Sequence, residues 1–294
     1  TTLNALINLF AIFSAVNNSE KEEAVQNFSF YLQLHLGIAL PDEYIKLFEE
    51  LLDLYGVGSE PVIPIDMNEQ ARKITTHVKG RLKKEEQAVV FLRFLEMARG
   101  GITDRARTLT DTIAQIFEID ESERERFESF ILVRSAENIA HPGFVLIDRN
   151  ESCSNPRVKH LFDKNLEGEL LFLKSDRIGH LVFIFSGNEE LTLEGNPIVP
   201  GRFYAFKEGG IIRGQRIAPV YYTDIASLFI DKETLAPFVF SGNEIEFKFK
   251  NSNNGLHRFS FSEKSGQLIA VMGGSGVGKS TLLNILNGNI PVQK

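Results

Sequence analysis

Residues 273–280 read GGSGVGKS, with four glycines in the six positions before Lys279. This is the spacing G-x-x-x-x-G-K-S, in which the backbone N–H groups of a tight curl surround phosphate oxygens. Side chains at the curl would collide with a phosphate, so glycine suits these positions. The stretch predicts a loop that binds a nucleoside triphosphate, against the alternative of a glycine-rich turn with an incidental lysine.

Each residue of the loop has an expected role. Lys279 adds a positive charge at the outer phosphates, and the hydroxyl of Ser280 is an expected ligand for Mg²⁺. Thr281 lies one residue further on, where its N–H or hydroxyl reaches the inner phosphate. The predicted nucleotide-binding set is Gly273, Gly274, Ser275, Gly276, Val277, Gly278, Lys279, Ser280 and Thr281.

The residues on both sides of the loop support the prediction. Gln267–Met272 is a short apolar run of the kind that forms a buried parallel strand. Thr281–Gly288 carries apolar residues at helical spacing and ends in a glycine that predicts the helix stop. Such a helix presents its positive N-terminal end to the phosphates.

The run Gly266–Asn284 resembles the start of an ABC-transporter ATPase, and Gly255–Phe261 is similar to the short strand that precedes it in that family. The resemblance covers about residues 244–294. It implies ATP and Mg²⁺ as ligands, with Phe249 as the aromatic residue that stacks on adenine. It also implies a second ATPase subunit, a membrane domain in the same or another chain, and a place on the cytoplasmic side of the inner membrane.

The glutamine loop, the LSGGQ signature, the Walker B carboxylate and the switch histidine of that family are not found after the loop. Hydrolysis needs a group that orients water and charges that stabilise the transition state. We therefore expect the chain to be the amino-terminal portion of a larger ATPase, and to be inactive as a soluble fragment.

Composition narrows the possible functions. A length of 294 residues with 43% apolar residues predicts two or three domains with real cores. The net charge of −7 disfavours a nucleic-acid partner. The single cysteine, Cys153, forms no internal disulfide. The chain shows no apolar run of about 20 residues, the length that would predict a membrane span.

Residues 1–140 show helical periodicity and short connections, which predict an antiparallel helical bundle. The expected helices are Leu3–Phe13, Glu20–Leu36, Pro41–Tyr55, Asn68–Gly80, Lys84–Arg99, Asp104–Phe117 and Asp120–Leu132, with a loop at Gly58–Pro64. The pattern Phe91–Ile102 with Ile116–Asp120 resembles the TerB-like helical family over about residues 20–135. That family implies an acidic metal site, for which Glu96 and Asp104 are candidates, against the alternative of two solvated carboxylates.

Residues 141–243 are rich in β-branched and aromatic residues with frequent turns, which predicts a small sandwich or barrel. The expected strands are Leu170–Leu173, His180–Phe185, Leu191–Leu193, Arg202–Phe206 and Gly210–Arg213, followed by a short helix after Tyr221 and a linker at Asp231–Asn243. The segment resembles a forkhead-associated sandwich, a phosphopeptide-binding module, with Arg213 and Arg216 as the available arginines. A spacer or docking module is the alternative.

The sequence thus predicts a multidomain α+β chain: a helical bundle at 1–140, a β-rich module at 141–243 and the start of a nucleotide-binding domain at 244–294. Two other functions remain open. One is a P-loop GTPase with a β module before the loop, and the other is a non-enzymatic interaction scaffold in which the loop is unused.

Overall fold

The computed structural model describes residues 2–36, 42–58, 66–132, 135–230, 238–252 and 254–290. The chain divides into two compact units, residues 1–230 and residues 231–294. In the described residues no helix has both the length and the apolar character that a bilayer crossing requires.

Seven helices open the described part of the first unit, and they confirm the predicted helical periodicity. They are α1 Thr2–Val16, α2 Lys21–Leu36, α3 Asp42–Leu54, α4 Met67–Lys79, α5 Lys84–Met97, α6 Asp104–Phe117 and α7 Glu121–Leu132. Local chemistry sets their ends: Thr103 accepts a hydrogen bond from the N–H of Ala106, and Asp66 accepts from the N–H of Glu69. Most of the loop predicted at Gly58–Pro64 lies outside the described residues.

Helix α1 is the centre of the helical layer. Its residues from Leu9 to Ser14 are all buried, so it is a core helix covered on most sides. The Phe94 ring lies 4.8 Å from that of Phe10 and 5.1 Å from that of Phe13, measured between centroids. Such aromatic contacts add to the burial of apolar area that stabilises the layer.

Two sheets follow the helices. The strands are β1 Phe144–Asp148, β2 Val158–Phe162, β3 Gly168–Lys174, β4 Leu181–Gly187, β5 Leu191–Leu193, β6 Asn196–Pro197, β7 Phe203–Phe206, β8 Ile211–Gly214 and β9 Val220–Tyr221, with α8 at Tyr222–Leu228. One sheet has the order β2-β1-β3-β4-β7 and the other β6-β5-β8-β9. The pairing of β1 with β2 is parallel, whereas β1 with β3, β3 with β4 and β4 with β7 are antiparallel.

Strands β3, β4, β5, β7 and β8 and helix α8 confirm the sequence prediction, whereas β1, β2, β6 and β9 were not predicted. All five residues of β1 are buried, so the strand lacks the alternation of apolar and polar residues that marks a half-exposed strand.

The five-stranded sheet is covered on both faces. Val182 and Ile184 belong to the same core as the helices, and Phe183 and Phe185 belong to a second core with the four-stranded sheet. Alternate residues of β4 therefore serve different cores, as the period of two requires. The helical layer and this sheet share one core. The domain boundaries predicted at 140/141 and 243/244 stay a prediction.

The second unit is small. A long antiparallel hairpin joins β10 Val239–Lys248 to β11 Gly255–Lys264, and α9 spans Lys279–Leu286. The strand predicted at Gly255–Phe261 is confirmed, as is the helix after the loop. The linker predicted to reach Asn243 is too long, because β10 begins at Val239, and residues 231–237 lie outside the described part of the chain.

The prediction of a buried parallel strand at Gln267–Met272 is wrong. These residues form no strand in the structure, and Leu268 is 100% and Met272 88% exposed. A strand exists only where a neighbour pairs with its backbone, and the described residues of this unit supply only the β10–β11 pair.

Candidate functional site

The predicted phosphate-binding loop, residues 273–278, leads directly into α9. Three of its glycines have backbone angles that side-chain-bearing residues rarely adopt: φ is +154° at Gly273, +83° at Gly276 and +95° at Gly278. Gly278 is the residue that caps the N-terminus of α9. The glycines thus let the chain curl immediately before the helix, as the motif requires.

Two of these glycines also make close approaches that a side chain would block. A Cβ atom on Gly278 would lie 2.8 Å from Cδ2 of Leu256, which belongs to β11. A Cβ on Gly273 would lie 2.9 Å from Cγ2 of Val277. The curl therefore packs against Leu256 of the hairpin at Gly278, and against the side chain of Val277 at Gly273.

Lys279 folds back over the loop. Its ammonium group donates hydrogen bonds to the carbonyl oxygens of Gly274, at 2.6 Å, and Gly273, at 2.9 Å. A positive charge is therefore held at the inside of the curl by two neutral carbonyl acceptors. Anionic oxygens are stronger acceptors than carbonyl oxygens, so a phosphate can replace these contacts.

The first turn of α9 supplies the remaining polar groups. The first N–H groups of a helix have no partner within the helix and carry the positive end of its dipole. Ser280 lies in this turn and is exposed, and Thr281 is half-buried. Ser275, Gly276 and Val277 are exposed along the rim of the loop.

These residues fit a magnesium–triphosphate ligand. The loop offers backbone donors and an ammonium group for phosphate oxygens, and the Ser280 hydroxyl lies one position after the ammonium. Mg²⁺ is a hard cation that takes oxygen ligands and commonly shares them with phosphates. Ser280 is thus the residue in the loop that would hold the cation.

Phe249, the expected adenine-stacking residue, follows β10 at the tip of the hairpin. Its N–H donates to the carbonyl of Asn254 at 3.0 Å, and its ring meets that of Phe247 edge to face, with 5.0 Å between centroids. The side chain is 46% exposed. The ring is thus in contact with Phe247 within the hairpin, and stacking on adenine stays a prediction.

The structure does not bring Glu96 and Asp104 together as a metal site. Glu96 is buried and forms an ion pair with Arg93, and its Oε1 accepts from the N–H of Phe203 at 2.8 Å. Asp104 is exposed in the first turn of α6. Within the described part of the chain there is no group of three or more His, Cys, Asp or Glu side chains arranged to hold a metal.

The remaining candidates lie apart from the loop in sequence. Arg213 is exposed on β8, and Arg216 pairs with Glu167 at 3.0 Å. Cys153 is half-buried, with its Sγ 4.0 Å from the carbonyl oxygen of Asn155.

Sequence reasoning missed the buried ion pair that Glu96 forms with Arg93. Arg93 is 1% exposed, donates to the carbonyl of Phe203 at 3.0 Å, and has its guanidinium carbon 3.8 Å from the centroid of that ring. Burial lowers the pKa of Arg93, and the carboxylate of Glu96 opposes the shift. The available signal was an Arg and a Glu three residues apart in an otherwise apolar run.

Comparison with known proteins bears on the C-terminal end of the chain. Residues 256–294 match the model of the family described as ABC transporter. The Beta-(1→2)glucan export ATP-binding/permease protein NdvA is 51% identical over 43 residues in Rhizobium johnstonii, 49% over 43 in Rhizobium meliloti and 43% over 44 in Bartonella henselae.

Each of these matches covers 15% of this chain and 7% of the relative. The chain therefore matches only a small share of the curated relatives' length. No solved structure matches the chain. Residues 256–294 are thus similar to the ABC transporter family, over a short part of the chain.

Proposed function

We propose that this chain is part of an ABC transporter ATPase, and that residues 273–281 bind ATP with Mg²⁺ to power transport by the whole protein. The observation that carries the proposal is the match of residues 256–294 to the ABC transporter family, at a loop whose ammonium group lies inside a glycine curl. When bound at Ser280, Mg²⁺ would supply positive charge to the phosphate oxygens. Phe249 stacks on the adenine.

In this proposal Lys279 exchanges its two carbonyl partners for phosphate oxygens, and the N–H groups of the loop and of the first turn of α9 donate to the same ligand. Ser280 ligates the cation through its hydroxyl. Hydrolysis requires groups from other parts of the protein, so nucleotide binding rather than turnover is the property assigned to these residues.

The proposal extends to partners. The names of the relatives join an ATP-binding part to a permease part. We therefore propose a second ATPase subunit and a membrane domain, in the same or another chain, as partners on the cytoplasmic side of the inner membrane. Residues 1–230 take a regulatory or docking role, and the TerB-like and forkhead-associated-like resemblances remain hypotheses about their ancestry.

The test is nucleotide binding by the full-length protein, measured by calorimetry with ATP and with GTP in the presence and absence of Mg²⁺. ATP should bind more tightly than GTP, and Lys279→Ala should weaken binding at least tenfold because it removes a charge-assisted contact. Lys264→Ala is the matched control, because it removes an exposed lysine from the end of β11 in the same unit.

Tighter binding of GTP would favour the GTPase alternative. Equal binding by the wild-type protein and Lys279→Ala, or no binding of either nucleotide, would favour the interaction scaffold and contradict the proposal.

A further inference from the structure

The first unit contains a cleft of about 520 Å³ that the nucleotide proposal does not use. It lies between the helical layer and the helix-facing side of the five-stranded sheet. Its apolar lining includes Leu3, Leu6, Val89, Val182, Phe203 and Ala205. Pockets of roughly 300–1,000 Å³ with an apolar lining and a few polar groups are typical of small-molecule sites.

The floor of the cleft is open because of one small side chain. Along β7, Phe203 belongs to the core shared with the helices, and Tyr204 and Phe206 belong to the core between the sheets. The alternation of a strand places Ala205 on the same side as Phe203. Ala205 pairs with Val182 across the β4–β7 ladder. Both side chains are small, so this pair leaves the bottom of the cleft unfilled.

The cleft is held in shape by the buried charges. The backbone of Phe203 donates to Glu96 and accepts from Arg93, and its ring lies against the Arg93 guanidinium. Tyr31, on the opposite wall, is 3% exposed and packs 4.9 Å from Phe10 between ring centroids. A ligand would therefore meet walls that are already ordered, which lowers the entropic cost of binding.

The charged lining residues have an excess of negative charge. Glu85, Glu86 and Glu194 contribute three carboxylates, against the single ammonium of Lys207. Glu85 and Glu86 lie in the first turn of α5, where the helix dipole favours their ionised forms. Burial and the charge of Lys207 lower the pKa of His180, which favours the neutral ring.

We propose that this cleft binds a small organic cation with an apolar body, of the alkylamine class. The hydrocarbon lies on Val89, Val182 and Phe203 in the space above Ala205, and the ammonium group faces the carboxylates. The apolar lining supplies affinity through buried area, and the excess of carboxylates selects cations over anions. The inference is independent of nucleotide binding.

The test compares three ligands of equal chain length, n-octylamine, 1-octanol and octanoate, by calorimetry on this chain at pH 7. Octylamine should bind about tenfold or more tightly than octanoate, because the net charge of the lining attracts one and repels the other. Equal affinities for the amine and the carboxylate, or no binding of the amine, would overturn the proposal.

Two variants test the location. Ala205→Leu should weaken octylamine and octanol alike by about tenfold, because it fills the floor. Glu85→Gln should weaken only octylamine, by about threefold, the size of an exposed charge pair. The control is Glu50→Gln, an exposed carboxylate of α3.

Loss of octylamine affinity in Glu50→Gln equal to that in Glu85→Gln, or unchanged octylamine binding in a folded Ala205→Leu, would contradict the assignment. Circular dichroism establishes folding of each variant. If Ala205→Leu does not fold, Glu85→Gln and Glu194→Gln decide the result: weakening of the amine but not of octanol supports the site, and no weakening contradicts it.

Discussion

The two units differ in how deeply their apolar side chains are buried. In residues 2–230, Phe94 and Phe183 are completely buried between layers, whereas in residues 238–290 Leu268 and Met272 are almost fully exposed. Both regions have apolar runs of the kind that predict buried elements. An apolar run is therefore buried only where other elements of the same unit cover it.

The same contrast holds for charge. Arg93 and Glu96 are paired inside the core, and Lys279 is held by two carbonyl oxygens in an exposed loop. A buried pair is costly to break, because either partner alone is an uncompensated charge. An exposed ammonium can change partners at little cost, which suits a residue that binds a ligand.

The largest expected effect tests the difference in burial. Phe94→Ala should lower the free energy of unfolding by about 3–5 kcal/mol, because it removes a fully buried ring and leaves a cavity. Leu268→Ala should change it by less than about 0.5 kcal/mol. Urea unfolding followed by circular dichroism measures the free energy of unfolding of both variants. A decrease of more than about 1 kcal/mol in Leu268→Ala would contradict the difference in burial between the two units.

The next effect tests the buried pair. Glu96→Gln should cost about 3 kcal/mol: the amide can still accept from the N–H of Phe203, but the charge of Arg93 loses its partner. Adding Arg93→Met should restore part of the loss, because the buried guanidinium of Arg93 is then removed as well. The control Glu69→Gln removes an exposed pair with Lys73 and should cost less than about 0.5 kcal/mol. A double variant less stable than Glu96→Gln would contradict this account.

A smaller effect depends on pH. Burial raises the pKa of Asp148, but hydrogen bonds from His160 and Asn150 outweigh it, so the folded pKa lies below the ordinary value of 3.8. The carboxylate therefore stabilises the fold above pH 3.8 and loses this contribution as the pH falls through the lower folded pKa. Asp148→Asn should cost roughly 1–2 kcal/mol at pH 7.

The cost of Asp148→Asn should shrink as the pH falls below 3.8, where the wild type loses its own carboxylate. Unfolding curves between pH 7 and pH 3 measure this change, with the exposed Asp176→Asn as the control. A cost that is independent of pH would show that packing, rather than the charge of Asp148, is responsible.

An effect of similar size concerns the loop without nucleotide. Gly278→Ala should destabilise the start of α9 by about 1–2 kcal/mol, because φ is +95° and the new methyl group meets Leu256. Gly274→Ala, where no atom lies within 4 Å of the new Cβ, should have little effect. Hydrogen exchange of the α9 amides distinguishes the two, and equal protection would mean that the curl is not specified by Gly278.

Local chemistry was enough to predict much of this molecule. The helices of residues 2–132 follow from apolar spacing and from capping residues such as Thr103, because both act within one or two turns. The curl at 273–278 could be predicted because glycines permit the positive φ angles that it contains. Phosphate binding by this curl stays a prediction.

What the sequence did not predict depends on distant neighbours. Strand β1 shows no alternation because it is covered on both faces, and the exposure of 267–272 depends on which strands are present to pair with it. The burial of Glu96 is likewise decided by packing, since the N–H of Phe203, 107 residues away, donates to it in the core. The spacing of apolar residues, the capping residues and the glycine-rich curl at 273–278 follow from the sequence by itself. Strand pairing, burial and the cleft follow from the tertiary structure, because they depend on contacts between residues far apart in the chain.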